Sequence, residues 1–485
     1  MLVDVTRGVT LDDYASVGEL TRAVEELRAA ARGVAPRLAG RTVWMVNSTA
    51  TGGGVAEMLP TLVGLLNELG ICTRWAVIES DRPEFFVLTK RLHNMIHGVD
   101  AKGPSASERA LYDEVSRANA DALLQLVTPR DILVVHDPQP LGAGALVKKA
   151  LGLVAIWRSH IGLDVETGGS REAWSFIHPY AVTYDRAVFS STAYVPHFLA
   201  DRTSVIHPGV DPLDHKNRDL SLHKLVGVLC DAALATSHWP LIAPPFPELA
   251  QRLQVDGTFA TATVPEDIGL LGRPIVTQVS RWDRLKGFAP LLEAFRRLKL
   301  RPRRELDERD RRRLDAARLV LAGPAAESIQ DDPEALEVLD ELCARYVEME
   351  PEIQSDVAIL SLPMASRKYN ALMVNALQRA STIVVQNSLR EGFGLTATEA
   401  MWKGISVLGN SRAAGIRDQV RHGVDGVLID DPENVGELAD ALEAMLADPA
   451  ARTRYGRNGR RRVGEEFLIF VQLRKWLDLL GALRG

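Results

Sequence analysis

The chain has 485 residues, 46% hydrophobic and 25% charged, the balance of an ordinary globular protein and not of a disordered or fibrous one. Its length exceeds the roughly 250–300 residues that one hydrophobic core supports, so two domains are expected. The net charge of -6 gives no general attraction for nucleic acid or anionic membrane, and any phosphate site must be local.

The opening segment MLVDVTRGVTLDDY has neither a basic leader nor an apolar stretch, and no run of about 18 apolar residues occurs in the sequence, so a cytoplasmic enzyme is expected. Cys72, Cys230 and Cys343 are widely spaced, with no CxxC pair and no histidine cluster at metal-ligand spacing. Reduced thiols and no structural metal are expected.

From Arg41 the segment RTVWMVNST reads as a buried strand, followed by the glycine run Gly52, Gly53 and Gly54 and by a helical repeat of apolar residues in VAEMLPTLVGLLNELG. Further strands are expected at ICTRWAVIE, DILVVHDP, GLVAIWRSH, AVFSS and TSVIHPG, separated by longer helical segments. That alternation is the pattern of a parallel sheet covered by helices. At HPGVDPLDHKN, residues 207–217, prolines and a glycine interrupt it as a linker would. Strands resume at RPIVTQVS, ARLVLAG, VAIL, TIVVQ and ISVLG. The reading is an α/β protein with residues 1–207 as a first doubly wound domain, 208–462 as a second, and 463–485 as a C-terminal helix returning to the first. Residues 217–273, rich in proline, are assigned to neither sheet and read as an insertion on the second domain. The arginine-rich run at 301–318 is interleaved with acids and reads as a solvated helix.

The segment EGFGLTATEAMWKG at 391–404 follows the strand TIVVQNS, and Gly392 and Gly394 precede a helical run. Strand, glycine turn and helix aim backbone N–H groups at an anion, and the helix dipole adds positive potential. On one continuous helix Glu391 and Glu399 would stand roughly 12 Å apart, so the first is expected on the loop and the second in the early turns. Two acids with N–H donors between them suit a ligand with hydroxyls at both ends and phosphate in the middle, as in a nucleotide sugar. In VSRWDRLKG at 279–287, Arg281 and Lys286 lie past the end of a strand, where open α/β sheets bind ligands. Two cations there would stabilise a departing diphosphate without a metal ion. HDPQP at 136–140 and WRSHIG at 157–162 each bring a histidine to the end of an apolar strand.

Taken in order, these segments resemble the retaining glycosyltransferases of the GT-B fold, family 4, whose mark is two glutamates separated by seven residues. VNSTATGGGVAEML, FFVLTKRLHN, HDPQPLG, WRSHI, VFSSTAYVP, LVLAGPA, VNALQRAS and SLREGFGLTATEAMWKG are similar to the trehalose-forming branch of that family. The resemblance implies two Rossmann-like lobes facing a central cleft. It implies that Glu391 meets donor-glucose hydroxyls beside Gly392, Phe393, Gly394 and Leu395, that Glu399 binds the ribose, and that Arg281 and Lys286 hold the diphosphate. By the same resemblance His160 touches the donor sugar, Gly53 and Gly54 line the cleft, and Asp137, Lys90 and Asn94 stand on the acceptor side.

The implied reaction joins glucose from a nucleoside-diphosphate-glucose to glucose, giving trehalose with retention and reversibly, with no obligatory metal or other cofactor; a homodimer is also expected. The sequence departs from the family pattern at Asn387, where lysine is usual, at Ala414, and at Gly162, where an acid is usual. Two alternatives are a trehalose phosphorylase, which uses inorganic phosphate, and a nucleotide-sugar-binding module without turnover. A hydrolase needs carboxylates about 5–9.5 Å apart across one bond.

Overall fold

The structure is a computed structural model that describes residues 1–5, 8–51, 54–99, 101–236, 245–264, 266–302, 307–325 and 333–483. It divides into two compact units, residues 1–209 with 469–485, and residues 210–468.

Unit 1 is built on strands β1 (Leu2–Val3), β2 (Val43–Asn47), β3 (Thr73–Val77), β4 (Ile132–His136), β5 (Val154–Ser159), β6 (Arg186–Phe189) and β7 (Thr203–Val205). They form one sheet in the order β1-β3-β2-β4-β5-β6-β7, parallel except for the antiparallel edge strand β1. Every residue of β2 and β4 is buried, as a sheet covered on both faces requires. The chain leaves β2 towards β3 on one side and later returns to β4 on the other. The ends of β2 and β4 therefore flank the switch point of the sheet, where open α/β sheets leave a crevice.

Unit 2 repeats this plan. Its strands are β8 (Gln251–Leu253), β9 (Phe259–Thr261), β10 (Ile275–Val279), β11 (Arg318–Pro324), β12 (Val357–Leu362), β13 (Ile383–Val385), β14 (Ser406–Asn410) and β15 (Val427–Ile429). The order is β15-β14-β13-β10-β11-β12-β8-β9, and the switch point lies between β10 and β13. Side chains alternate between two cores. Leu319 and Leu321 of β11 join one, while Val320 and Ala322 join the other. At roughly 1.5–3 kcal/mol for each fully buried large aliphatic side chain, this two-sided burial makes the sheet the stable frame of the unit.

The stretch 217–273, which the sequence leaves off both sheets, contributes described residues to the sheet of unit 2. It contains the helix Leu222–Asp231 and the hairpin β8–β9, which continues the sheet antiparallel to β12. Within 207–217, the part from Asp211 onward is fastened to unit 2. Asn375 Nδ2 donates to the carbonyls of His215 and Arg218, and Lys403 Nζ donates to Asn217 Oδ1. The arginine-rich run contains the helix Glu308–Ala316, on which Leu314 is buried. After the helix Pro449–Glu466 of unit 2, the helix Ile469–Ala482 belongs to unit 1. There Phe470 meets Tyr14 edge to face at 5.2 Å. Among the described residues no helix is long and apolar enough to cross a membrane.

Candidate active site

In unit 2, Lys286 lies beyond the end of β10 and Glu391 beyond the end of β13, so the sheet's switch point brings together residues 105 positions apart. Lys286 Nζ donates to Glu391 Oε2 at 2.6 Å, and the two side chains are only 15% and 14% exposed. The same carboxylate oxygen accepts from Ser388 Oγ at 2.9 Å and from Gln386 Nε2 at 3.3 Å. Two groups assigned to different parts of one ligand are thus paired with each other. A carboxylate and an ammonium held this far from water interact more strongly than on an open surface. A ligand that offers hydroxyls to one and phosphate to the other can take the place of that interaction.

The turns that carry the pair are locked to one another. Gln278, buried at the end of β10, donates from Nε2 to the Lys286 carbonyl at 2.7 Å and accepts from the Asn387 N–H at 3.1 Å. Asn387 Nδ2 donates to the carbonyls of Gly287 and Pro432. Asn387 is therefore a buried brace between loops. Where the family resemblance leads one to expect lysine, its amide makes backbone hydrogen bonds. Trp282 anchors the preceding loop by donating from Nε1 to the Pro324 carbonyl at 2.8 Å.

The second acid behaves differently. Glu399 sits within the helix Leu395–Trp402, mostly buried, with Lys216 Nζ at 3.9 Å from its Oε1. Beneath it the buried Lys403 donates to Gln378 Oε1 at 2.6 Å and to the Glu399 carbonyl at 3.2 Å. Burial pushes the Lys403 ammonium down to about 7, with Arg379 and Lys216 acting in the same direction and Glu399 and Asp214 opposing it. Gly394, at φ +84°, caps the helix, and Leu395 is its first residue. The Phe393 ring is buried against Phe467, and its carbonyl accepts from Gln419. Ala414 is buried at the start of the helix Ala414–Gln419. Arg281 is not drawn into the Lys286–Glu391 pair. Its side chain is 76% exposed, with Asp283 at 3.8 Å.

In unit 1 the switch point gathers Asp137 and His160. Asp137 follows β4 in a left-handed conformation, φ +62°, uncommon for a residue with a side chain. That conformation is held by three hydrogen bonds. The Asp137 N–H donates to the Arg158 carbonyl at 2.8 Å, its own carbonyl accepts from Trp157 Nε1 at 3.1 Å, and its Oδ1 accepts from the His160 N–H at 2.8 Å. Burial raises the Asp137 carboxyl to about 6, against the His160 N–H and the nearby Arg158. Arg158 is fully buried and donates from Nη2 to Ser190 Oγ, while burial lowers its guanidinium to about 9. Among the described residues its Nη1 has no partner. His136 Nδ1 lies 3.0 Å from His160 Nε2 with the rings nearly parallel. Gly54 opens the helix Gly54–Glu68 behind β2, and Gly53 lies outside the described residues. Lys90, exposed, and Asn94, half-buried, stand one turn apart on the helix Pro83–Ile96. Where an acid is usual, Gly162 packs under Tyr194, and a β-carbon there would meet the Tyr194 side chain at 2.2 Å.

Comparison with known proteins identifies the family of the two units. The family described as trehalose synthase, N-terminal domain, matches residues 45–196, and that of the glycosyl transferases group 1 matches residues 264–462. The trehalose synthase of Pyrococcus horikoshii is 32% identical over 479 residues, covering 98% of this chain and 97% of its own length. The chain belongs to the trehalose synthase family. As a member of that family it is a glycosyltransferase, and its fold is GT-B. The α,α-trehalose-phosphate synthase (UDP-forming) of Burkholderia vietnamiensis superposes with a TM-score of 0.65 at 16% identity, over 91% of this chain and 99% of that one. The trehalose phosphorylase of Pleurotus pulmonarius is more distant, 26% identical over 456 residues that span 89% of this chain and 56% of the phosphorylase.

For this trehalose synthase family member, the sequence reading named the paired Lys286 and Glu391 but missed the residues that hold them. Gln278, Gln386, Ser388 and Arg158 are buried polar side chains next to strand ends. A polar residue that closes an apolar strand is the signal that could have found them, because burial obliges it to find partners.

Proposed function

We propose that this chain transfers a glucosyl group from a nucleoside-diphosphate-glucose to the anomeric hydroxyl of glucose, with retention, forming trehalose reversibly. The observation that carries the proposal is the Lys286–Glu391 pair at the switch point of unit 2, 2.6 Å apart and shielded from water. When donor binds, Lys286 turns to the diphosphate, Glu391 accepts hydrogen bonds from glucose hydroxyls, and Glu399 takes the ribose hydroxyls. Arg281, exposed on its loop, adds a second cation to the diphosphate. Asp137 and His160 meet sugar hydroxyls, and Lys90 and Asn94 serve the acceptor.

Lys286 and Arg281 together supply the charge that a metal ion would otherwise bring, so no obligatory metal is required. The bond from the donor anomeric carbon to the phosphate oxygen breaks as the bond to the acceptor oxygen forms on the same face. The departing phosphate oxygen takes the acceptor's proton, leaving trehalose and a nucleoside diphosphate. The protein contributes positioning and electrostatic stabilisation of the leaving group. The three unpaired cysteines suit a reducing, cytoplasmic setting.

The test is to incubate purified protein with ADP-, UDP- or GDP-glucose and glucose and to look for a non-reducing disaccharide. The reverse reaction, from trehalose and a nucleoside diphosphate, is expected to regenerate the donor. If glucose 1-phosphate were released from trehalose with inorganic phosphate and no nucleotide, the chain would be a phosphorylase. Tight donor binding without product from any acceptor would make it a binding module.

A further inference from the structure

The mechanism above uses His160 and leaves unexplained why a second, fully buried histidine lies against it. His136 is the last residue of β4 and is 1% exposed. Its Nε2 faces the sulfur of Met45, a residue of the neighbouring strand β2, at 3.5 Å. A thioether sulfur has lone pairs and no hydrogen to donate. A bare Nε2 would set lone pair against lone pair inside the core, so Nε2 carries the proton.

His136 is neutral, because burial and the Arg158 charge hold it down to about 3. A neutral imidazole protonated at Nε2 is bare at Nδ1. His136 Nδ1 faces His160 Nε2 at 3.0 Å. Two bare nitrogens cannot share that distance, and therefore His160 Nε2 donates. Burial, Arg158 and His136 hold His160 well below its ordinary value, so it is neutral as well. Its second nitrogen, Nδ1, is then an acceptor.

We propose that His136 is a positioning residue that fixes the proton of His160 on Nε2, so that His160 accepts a hydrogen bond from a sugar hydroxyl at Nδ1 and does not donate one. The setting is passed across three adjacent strands, from Met45 on β2 through His136 on β4 to His160 just past β5. The sugar contact rests on the function proposed above, whereas the tautomer does not. The arrangement also makes His160 selective. A ligand group that can donate is accepted, and one that can only accept is opposed.

The test has two arms. In protein labelled with ¹⁵N at histidine, long-range ¹H–¹⁵N spectra are expected to show His160 protonated at Nε2 and bare at Nδ1 in the wild type. His136→Asn is expected to keep that pattern, since its Oδ1 falls near the place of Nδ1 and accepts from His160. His136→Leu is expected to lose it, with turnover falling about tenfold or more, the effect of one misdirected hydrogen bond. Retention of the asparagine variant's rate separates positioning from mere packing. A protonated Nδ1 in the wild type would overturn the proposal, and that measurement stands even if His136→Leu fails to fold.

In the second arm, donors with each glucose hydroxyl replaced in turn by hydrogen or by fluorine are compared in the wild type and His160→Ala. The ratio of the wild-type rate to the His160→Ala rate cancels the electronic effect of each replacement, and at the hydroxyl that His160 contacts it is expected to fall alike for the deoxy and fluorinated donors, because fluorine accepts but cannot donate. A ratio that stays at its glucose value for the fluorinated donor and falls for the deoxy donor would show His160 donating and would also overturn the proposal. If the tautomer is as stated but no hydroxyl responds to His160, it is the assignment of His160 to the sugar that fails.

Discussion

Lys286 and Glu391 illustrate how one contact holds two functions ready. Removing either leaves its partner half-buried with less compensation. Lys286→Ala and Glu391→Ala are each expected to lower turnover by at least about tenfold, the size of one charge-assisted hydrogen bond. Lys286→Ala should also weaken donor binding, measured by calorimetry, while Glu391→Gln should bind nucleoside diphosphate nearly as well as the wild type. Near wild-type rates in both alanine variants would sink the site assignment. Lys403 carries a separate prediction about pH. Its folded value is lowered from 10.5 to about 7 by burial, so between those values the unfolded chain binds a proton that the folded chain has released. Stability then rises with pH across that window, and below about 7 the cost of the buried charge is present in full. Denaturation of the wild type and Lys403→Met at pH 7 and pH 9 should show a smaller gain with pH in the variant; equal gains would remove Lys403 from this role.

At the scale of elements, the two turns at the switch point of unit 2 depend on glycines in the left-handed region. A β-carbon on Gly287, φ +63°, would meet the Asn387 carbonyl oxygen at 2.3 Å, and one on Gly394, φ +84°, would meet the Ile416 Cδ1 at 2.6 Å and the Glu391 Cγ at 2.9 Å. Backbone cannot yield as a methyl terminus can. Gly287→Ala is thus expected to cost more than Gly394→Ala, with each losing about 1–3 kcal/mol in chemical denaturation. The reverse order would mean that the Asn387 loop is softer than its hydrogen bonds imply. The sequence made the strands beside these turns legible because IVTQV and IVV are mostly apolar, as burial on both faces demands. It hid β8 and β9 because each is three residues long and β8 contains Arg252, whose Nη2 donates to the Val357 carbonyl inside the sheet. In the site, the glycines and charged residues stood out by spacing. Gln278 did not, and Asn387 showed only as a departure from the family pattern, since an amide that braces two backbone segments has no pattern along one chain.

For the whole molecule, the chain passes from unit 1 to unit 2 after Gly209 and returns after Leu468, so the last helix completes a unit whose other residues were made first. The Val210 N–H donates to the Phe467 carbonyl at 2.8 Å, and the Gly209 N–H donates to Gln472 Oε1 at 3.0 Å, which ties each crossing strand to its own unit. The helix Ile469–Ala482 buries Phe470, Leu473, Trp476, Leu477 and Leu480. Each such side chain contributes roughly 1.5–3 kcal/mol, and together they rival the net stability of about 5–15 kcal/mol that a domain possesses. A chain ending at Leu468 should therefore lose unit 1 and keep unit 2, because none of unit 2's sheet or paired site residues lies in the deleted segment. Limited proteolysis is expected to cut the truncated chain throughout 1–209 while 210–468 survives, and nucleoside diphosphate binding should persist although sugar transfer is abolished. Equal resistance of residues 1–209 in both chains would show that the first unit folds without its returning helix, and the two-crossing arrangement would then serve some purpose other than stability.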